Sequence, residues 1–176
     1  METTKFNLDT ANTTIDWIGR KVTGSHNGTI NAKQGLFLFD GKNLSGGKVV
    51  IDTTSIKILD ITDSDTNAQF AGHLASDDFF NSGKYPEAHF EIISVKSENN
   101  TSHLQGNLTI KGIMHPIEFD ANVNVIENTA TISGKISIDR TKYGMKFRSG
   151  NFFLNLGDTL IYNDFDLHIQ ITAKVA

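Results

Sequence analysis

The chain contains no cysteine. That excludes a disulfide framework, a thiolate zinc site, a thiol nucleophile and a CxxC redox pair. No apolar run approaches the ~18 residues a membrane-spanning helix needs. No block of Lys and Arg is long enough to read as a nucleic-acid footprint, and 16 basic against 20 acidic residues leave a formal net charge of −4. The start, METTKFNLD, is too polar for a signal-peptide core. The expectation is a cytoplasmic protein, or a periplasmic one whose leader was removed. Chemical motifs are missing as well. There is no GxSxG elbow, no GxGxxG ahead of a helix, no P-loop and no HxH or HExxH pair.

Proline is scarce, 2 of 176 residues, whereas Phe supplies 12 and Gly 15. This balance suits long strands joined by tight turns. The length is that of one domain, expected to span residues 1–176, and it can bury a full core without disulfides. No internal repeat, low-complexity tract or linker divides it.

The strongest pattern is an alternation of period two in the second half. Leu104, Leu108 and Ile110 face one way, with Gly106 among them, and Gln105, Asn107, Thr109 and Lys111 face the other. Pro116–Ile126, Ala130–Asp139 and Asp166–Val175 repeat this division. Each reads as a strand with one wet and one dry face. In the first half, Ile15, Trp17 and Gly19 share a face, Thr23–Gly28 reads as a turn-rich break, and Leu44–Ile58 is a long strand. Leu36–Phe39 (LFLF) is apolar on both faces, so it is covered on both sides or edges a dimer contact. Short connections imply an antiparallel meander, and about eight strands with little helix must bury their dry faces against each other in a sandwich or a closed barrel.

Asp65–Phe90 breaks this rhythm. Phe70 and Leu74 stand one helical turn apart, and Asp63, Ser64 and Asp65 can cap the helix start. Ser76, with Asp77 and Asp78, reads as the start of a second short turn, and Gly83 and Tyr85-Pro86 return the chain to extended structure. A second lapse covers Asp139–Asp158, where Phe152 and Phe153 form an aromatic pair outside the strands.

Against catalysis, no serine sits in a nucleophile context. His73 lies near Asp77 and Asp78 and reads either as a base or headgroup contact, or as a locally hydrogen-bonded side chain. Arg140 ends a clean strand; it is either an anion contact at a barrel mouth or a structural pair with an acid of the helical insert. Trp17, Phe79, Phe80, Phe90, Phe152 and Phe153 either pack the core or line a cavity. Small inward residues (Gly19, Gly106, Ala121, Ala130, Gly134, Ala173) favour the cavity by leaving room.

Four stretches, GGKVVIDTTSIKI, HLASDDFFNSGKYPEAHFEI, LQGNLTIKGIMHPIEF and ISIDRTKYGMKFRSG, together resemble the YceI-like family of lipid-binding proteins. The resemblance implies an all-β, lipocalin-like antiparallel eight-stranded barrel with helices closing one end, and an elongated pore for polyisoprenoids or related amphiphiles. The positions carried over by matching motifs are His73, Leu74, Phe79, Phe80, Tyr85, Phe90 and Arg140. The expected occupant is a polyisoprenoid, an isoprenoid quinone or a fatty-acid-like lipid, with no catalytic residue, no metal and no other cofactor. A homodimer is the one protein partner considered, and nucleic acid is not expected. Two rivals stay open: a small barrel enzyme acting on a lipid, with His73 as its only start, and a dimeric stress-response scaffold without cargo.

Overall fold

The computed structural model describes residues 3–150, 153, 156–157 and 160–176. Nine strands are β1 (Thr3–Leu8), β2 (Thr14–Lys21), β3 (Gly24–Asp40), β4 (Asn43–Ile58), β5 (Glu87–Glu98), β6 (Thr101–Ile110), β7 (Ile113–Ile126), β8 (Thr129–Asp139) and β9 (Ile161–Val175). One α-helix, α1 (Ser64–Ala75), stands between β4 and β5. All neighbouring strands are antiparallel, and the sheet closes because β3 pairs with β4 as well as with β2.

The barrel has eight staves, because β1 and β2 share one position. β1 pairs with Leu36–Asp40 of β3, and β2 pairs with Gly24–Thr29 of the same strand. Both also pair with β9 on their other side. A 3-10 turn at Thr10–Asn12 interrupts the stave.

The predicted alternation holds inside this frame. Leu104, Leu108, Ile110, Phe119, Val123, Ile132 and Ile169 are all buried, while their sequence neighbours face out. Three sequence expectations change. Thr23–Gly28 is no broad break: a tight turn at Val22 and Thr23 leads into β3 at Gly24, opposite Lys21. Leu36–Phe39 is not an edge, since β1 and β4 occupy both its sides; Phe37 and Phe39 point inward, and Leu36 and Leu38 are half-buried outside. The short turn expected after α1 is present, with the Ser76 carbonyl accepting from the Phe79 (3.0 Å) and Asn81 (2.8 Å) N–H groups, but the Ser76 side chain does not cap it. Ser76 ends α1, its hydroxyl donating to the His73 carbonyl (2.6 Å).

One end of the barrel is packed solid. The Phe6 and Phe39 rings lie 4.8 Å apart there, with Leu44, Ala130 and Ala173 buried around them. The other end carries the helical insert. Asp63 caps α1 by accepting from the Thr66 N–H (2.9 Å), and Asn67 Nδ2 donates to the Ile58 and Ile61 carbonyls, tying the helix to the end of β4. α1 buries no residue of its own. The return segment is fastened to β4 at buried Thr53. Its N–H donates to the Pro86 carbonyl (2.9 Å), its hydroxyl to the Tyr85 carbonyl (2.7 Å), and Ser82 donates to its carbonyl (3.0 Å).

Candidate functional site

Between the solid end and the insert lies a cavity of about 550 Å³. That falls within the ~300–1,000 Å³ typical of single-ligand pockets. On β9 its wall runs from Ile161 to Ile171, about 34 Å along the strand and about 26 Å along the axis at ordinary strand tilt. The deep wall is apolar, including Phe37, Leu104, Phe119, Ile132 and Ile171. Leu74, Phe79, Phe80, Phe147 and Phe165 close the upper part.

Polar groups gather at the insert end: Arg20, His26, Thr53, His73, Arg140 and the lip residues. Four of the lining residues are exposed, namely Lys21, Arg148, Tyr162 and Asp164. They sit together, because Lys21 is opposite Ile161 and the Ile161 N–H donates to the Arg148 carbonyl (2.9 Å). The mouth is therefore between the β2–β3 turn and the start of β9. A β-bulge between Gly19 and Lys21 opposite β9 explains why Gly19, Arg20 and Lys21 all reach the lining, against strict alternation.

Seven sequence candidates meet in this wall: Trp17, His73, Leu74, Phe79, Phe80, Phe90 and Arg140. Trp17 spends its Nε1–H on the Thr29 carbonyl (3.2 Å), which leaves the ring as an apolar surface. His73 Nε2 lies 2.9 Å from Asp78 Oδ2, and its ring stands edge-on between Phe79 (5.0 Å) and Phe147 (4.7 Å). Tyr85 is outside the lining and packs by Gly112 beneath Lys84. Phe153 is 46% exposed and also outside it, and Phe152 lies outside the described residues.

Arg140 is buried, at 3% exposure, and it pairs with no acid of the insert. Its guanidinium donates to three carbonyls: Nη1 to Met145 (2.6 Å), Nε to Tyr162 (3.0 Å) and Nη2 to Ile161 (3.1 Å). It clamps the 140–148 segment onto the start of β9 and also lies 5.9 Å from the centre of the Phe79 ring. Burial pulls its pKa below the usual guanidinium value, and Asp139 opposes that shift. A guanidinium remains charged even so.

The glycine reading also changes. A Cβ on Gly106 would stand 2.6 Å from the Phe90 ring and would run into the Glu91 carbonyl oxygen. The hole that Gly106 leaves is filled by Phe90. Gly134 is closed by the Asp120 carbonyl (2.7 Å). Only Gly19, with nothing within 4 Å, opens onto the cavity as expected. Ala121, Ala130 and Ala173 do not line it.

Sequence reasoning missed Met145, Phe147 and Tyr162, and read Arg148 as part of a solvated basic loop although it reaches the lining. Met145 and Phe147 alternate within KYGMKFRSG, the signal that could have found them. At the lip, burial pushes the Asp166 carboxyl up, but hydrogen bonding and charge from Arg20 (2.8 Å), with Lys135 nearby, leave its pKa lowered. Among the described residues, no group of three or more His, Asp or Glu could hold a metal ion. No described helix is long and apolar enough to cross a membrane.

Chemically, the site is a hydrocarbon-lined tube with cations and two His–Asp pairs, His73–Asp78 and His26–Asp60 (both 2.9 Å), near its mouth. Protein YceI of Escherichia coli O17:K52:H18 is 38% identical over 99 residues, covering 54% of this chain and 48% of that protein. The matched stretch spans about half the length of such curated relatives. Burkholderia cenocepacia BcnA superposes with a TM-score of 0.74 at 18% identity, covering 95% of this chain and 99% of that one. A polyisoprenoid binding domain from Saccharophagus degradans, implicated in plant cell wall breakdown, superposes with a TM-score of 0.70 at 13% identity, covering 97% and 98%. These superpositions establish the shared lipocalin-like barrel. The YceI-like domain matches residues 6–173, and the chain belongs to that family.

Proposed function

We propose that residues 1–176 act as one lipid-binding domain, a carrier or store for a long-chain isoprenoid or related amphiphile such as an isoprenoid quinone. The observation that carries this reading is the 550 Å³ cavity, apolar along its depth and polar only near its mouth. An elongated chain with one polar end matches that distribution. Burial of each side-chain-sized apolar group contributes about 1.5–3 kcal/mol, so holding the chain requires no strong polar contact. The resemblance to a polyisoprenoid binding domain points the same way. Native mass spectrometry of the purified protein, with organic extraction of its contents, tests the reading. Co-purification of a long-chain amphiphile is expected. A protein that stays empty after incubation with polyprenyl and quinone lipids would overturn it.

An enzymatic reading rests on His73, which the Asp78 carboxylate orients at the cavity wall. A carboxylate-held imidazole is two-thirds of an acyl-transfer triad. Among the described residues, no hydroxyl is hydrogen-bonded to the ring, so this reading lacks its nucleophile. We therefore assign no catalysis, and His73→Ala should keep the cargo. A homodimer belongs to the proposal only through the half-buried Leu36 and Leu38 outside β3, and light scattering that returns a monomer mass removes it.

A further inference from the structure

The mouth carries an exposed lip, part of which also lines the cavity. Val22 is 47% exposed at the tip of the β2–β3 turn, and Tyr162 is 48% exposed at the start of β9. They flank one lip: the Val22 N–H donates to the Leu160 carbonyl (3.1 Å), and Tyr162 follows Ile161. Phe153, 46% exposed, is fastened to the same lip. Its N–H donates to the Ser149 carbonyl (3.0 Å), and the Ser149 hydroxyl donates to Asn163 Oδ1 (2.6 Å).

Charge accompanies these apolar tips. Arg20, Lys21, Lys135 and Arg148 stand around the lip against Asp139, Asp164 and Asp166, while Asp60 and Asp78 are engaged by the lining histidines His26 and His73. Asp166 is engaged by Arg20 and Lys135. Lys21 and Arg148 are exposed at the cavity edge. Exposed apolar and aromatic tips flanked by Lys and Arg are the composition that settles at a bilayer interface, the apolar part among the acyl chains and the cations at anionic headgroups.

We propose that this lip docks the barrel, mouth first, onto an anionic lipid bilayer. Three observations converge on that partner. The tips are apolar or aromatic, the exposed cations Lys21 and Arg148 stand beside them, and the lip is continuous with the apolar interior of the cavity. A chain leaving the tube at this point would pass from one hydrocarbon medium to another without crossing water. The reason for visiting a membrane rests on the lipid-carrier reading, but docking itself is measured independently of cargo.

The test is co-sedimentation of the full chain with sucrose-loaded vesicles of phosphatidylcholine, with and without phosphatidylglycerol. Wild type should pellet with the mixed vesicles and less with pure phosphatidylcholine. Val22→Glu combined with Phe153→Glu, neither of which lines the cavity, should lower the partition coefficient by about tenfold or more, with extracted lipid per protein unchanged. Ile126→Glu, 75% exposed at the solid end, should pellet like wild type. Docking is overturned if wild type ignores both vesicle types, if Ile126→Glu loses as much as the lip variant, or if the lip variant pellets normally. A lip that captures a protein or a second copy but no vesicle also overturns it. A lipid-free barrel that still pellets would sink the cargo reading and leave docking standing.

Discussion

Tyr143 carries the one buried side-chain polar atom without a hydrogen-bond partner among the described residues. Its hydroxyl is packed away at 1% exposure with the ring edge-on to His115 (5.3 Å). An unpartnered buried hydroxyl costs about 1–3 kcal/mol, so Tyr143→Phe should be neutral to stabilising by about 1 kcal/mol in urea melts. Burial, with Asp139 adding to it, pushes the phenol pKa up to about 12. The unfolded phenol ionises near pH 10 and the folded one at about 12. Stability is therefore intact below about pH 10 and falls between pH 10 and 12. Tyr143→Phe should remove that portion of the alkaline loss.

Gly106 invites a contrasting substitution. Gly106→Ala drives a methyl into the Phe90 ring and, less forgivingly, into the Glu91 backbone carbonyl. Overpacking of this kind costs about 1–3 kcal/mol, and a lowered denaturation midpoint with an unchanged slope would show it. The sequence marks Gly106 as inward and small. That its space belongs to Phe90 depends on cross-strand register, which pairs Ile92 with Gly106, and no single strand displays that.

α1 is held by caps and edges instead of a buried face. Asp63 anchors its start through Thr66, and these hydrogen bonds hold the Asp63 pKa below the usual carboxylate value. The cap is thus intact above the ordinary carboxylate pKa and is lost as pH falls through the lowered one. Asp63→Ala should speed hydrogen exchange in Ser64–Ala75 while the strands keep their protection. The 140–148 segment has the opposite construction, since its clamp is buried. Arg140→Leu strands three carbonyls at once and should cost about 3 kcal/mol or more, read as a lower melting temperature.

Legibility differed between elements for the same physical reason. β6 to β9 could be read directly because each has one wet face and therefore alternates. The helix cap was readable because Asp63 and Thr66 are local partners. The mouth was not, because the bulge at Arg20 breaks the alternation and the Arg140 acceptors are backbone carbonyls, which leave no trace in residue type. Likewise, Asp78 as the partner of His73 was one of two adjacent acids until the turn at Ser76 selected it.

The wall as a whole predicts its own blockade. Ile136 is buried in the core cluster and also borders the cavity. Ile136→Trp should place its ring in that space, lowering extracted lipid severalfold while leaving circular dichroism unchanged. A filled site in solid core would instead destabilise the protein by about 1–3 kcal/mol, so the two measurements together separate cavity from core.

The stave shared by β1 and β2 sets the order of events when the barrel forms. Both segments pair with β9 at the far end of the chain, Phe6 with Val175 and Ile15 with Ile169. Closure must therefore wait until the final strand exists. Until then, β2 and β8 both offer unpaired edges beside an open apolar trough, and contacts this distant in sequence make for slow folding. Deleting β9 should give inclusion bodies instead of a smaller barrel, and refolding of the intact chain should be limited by this one late pairing.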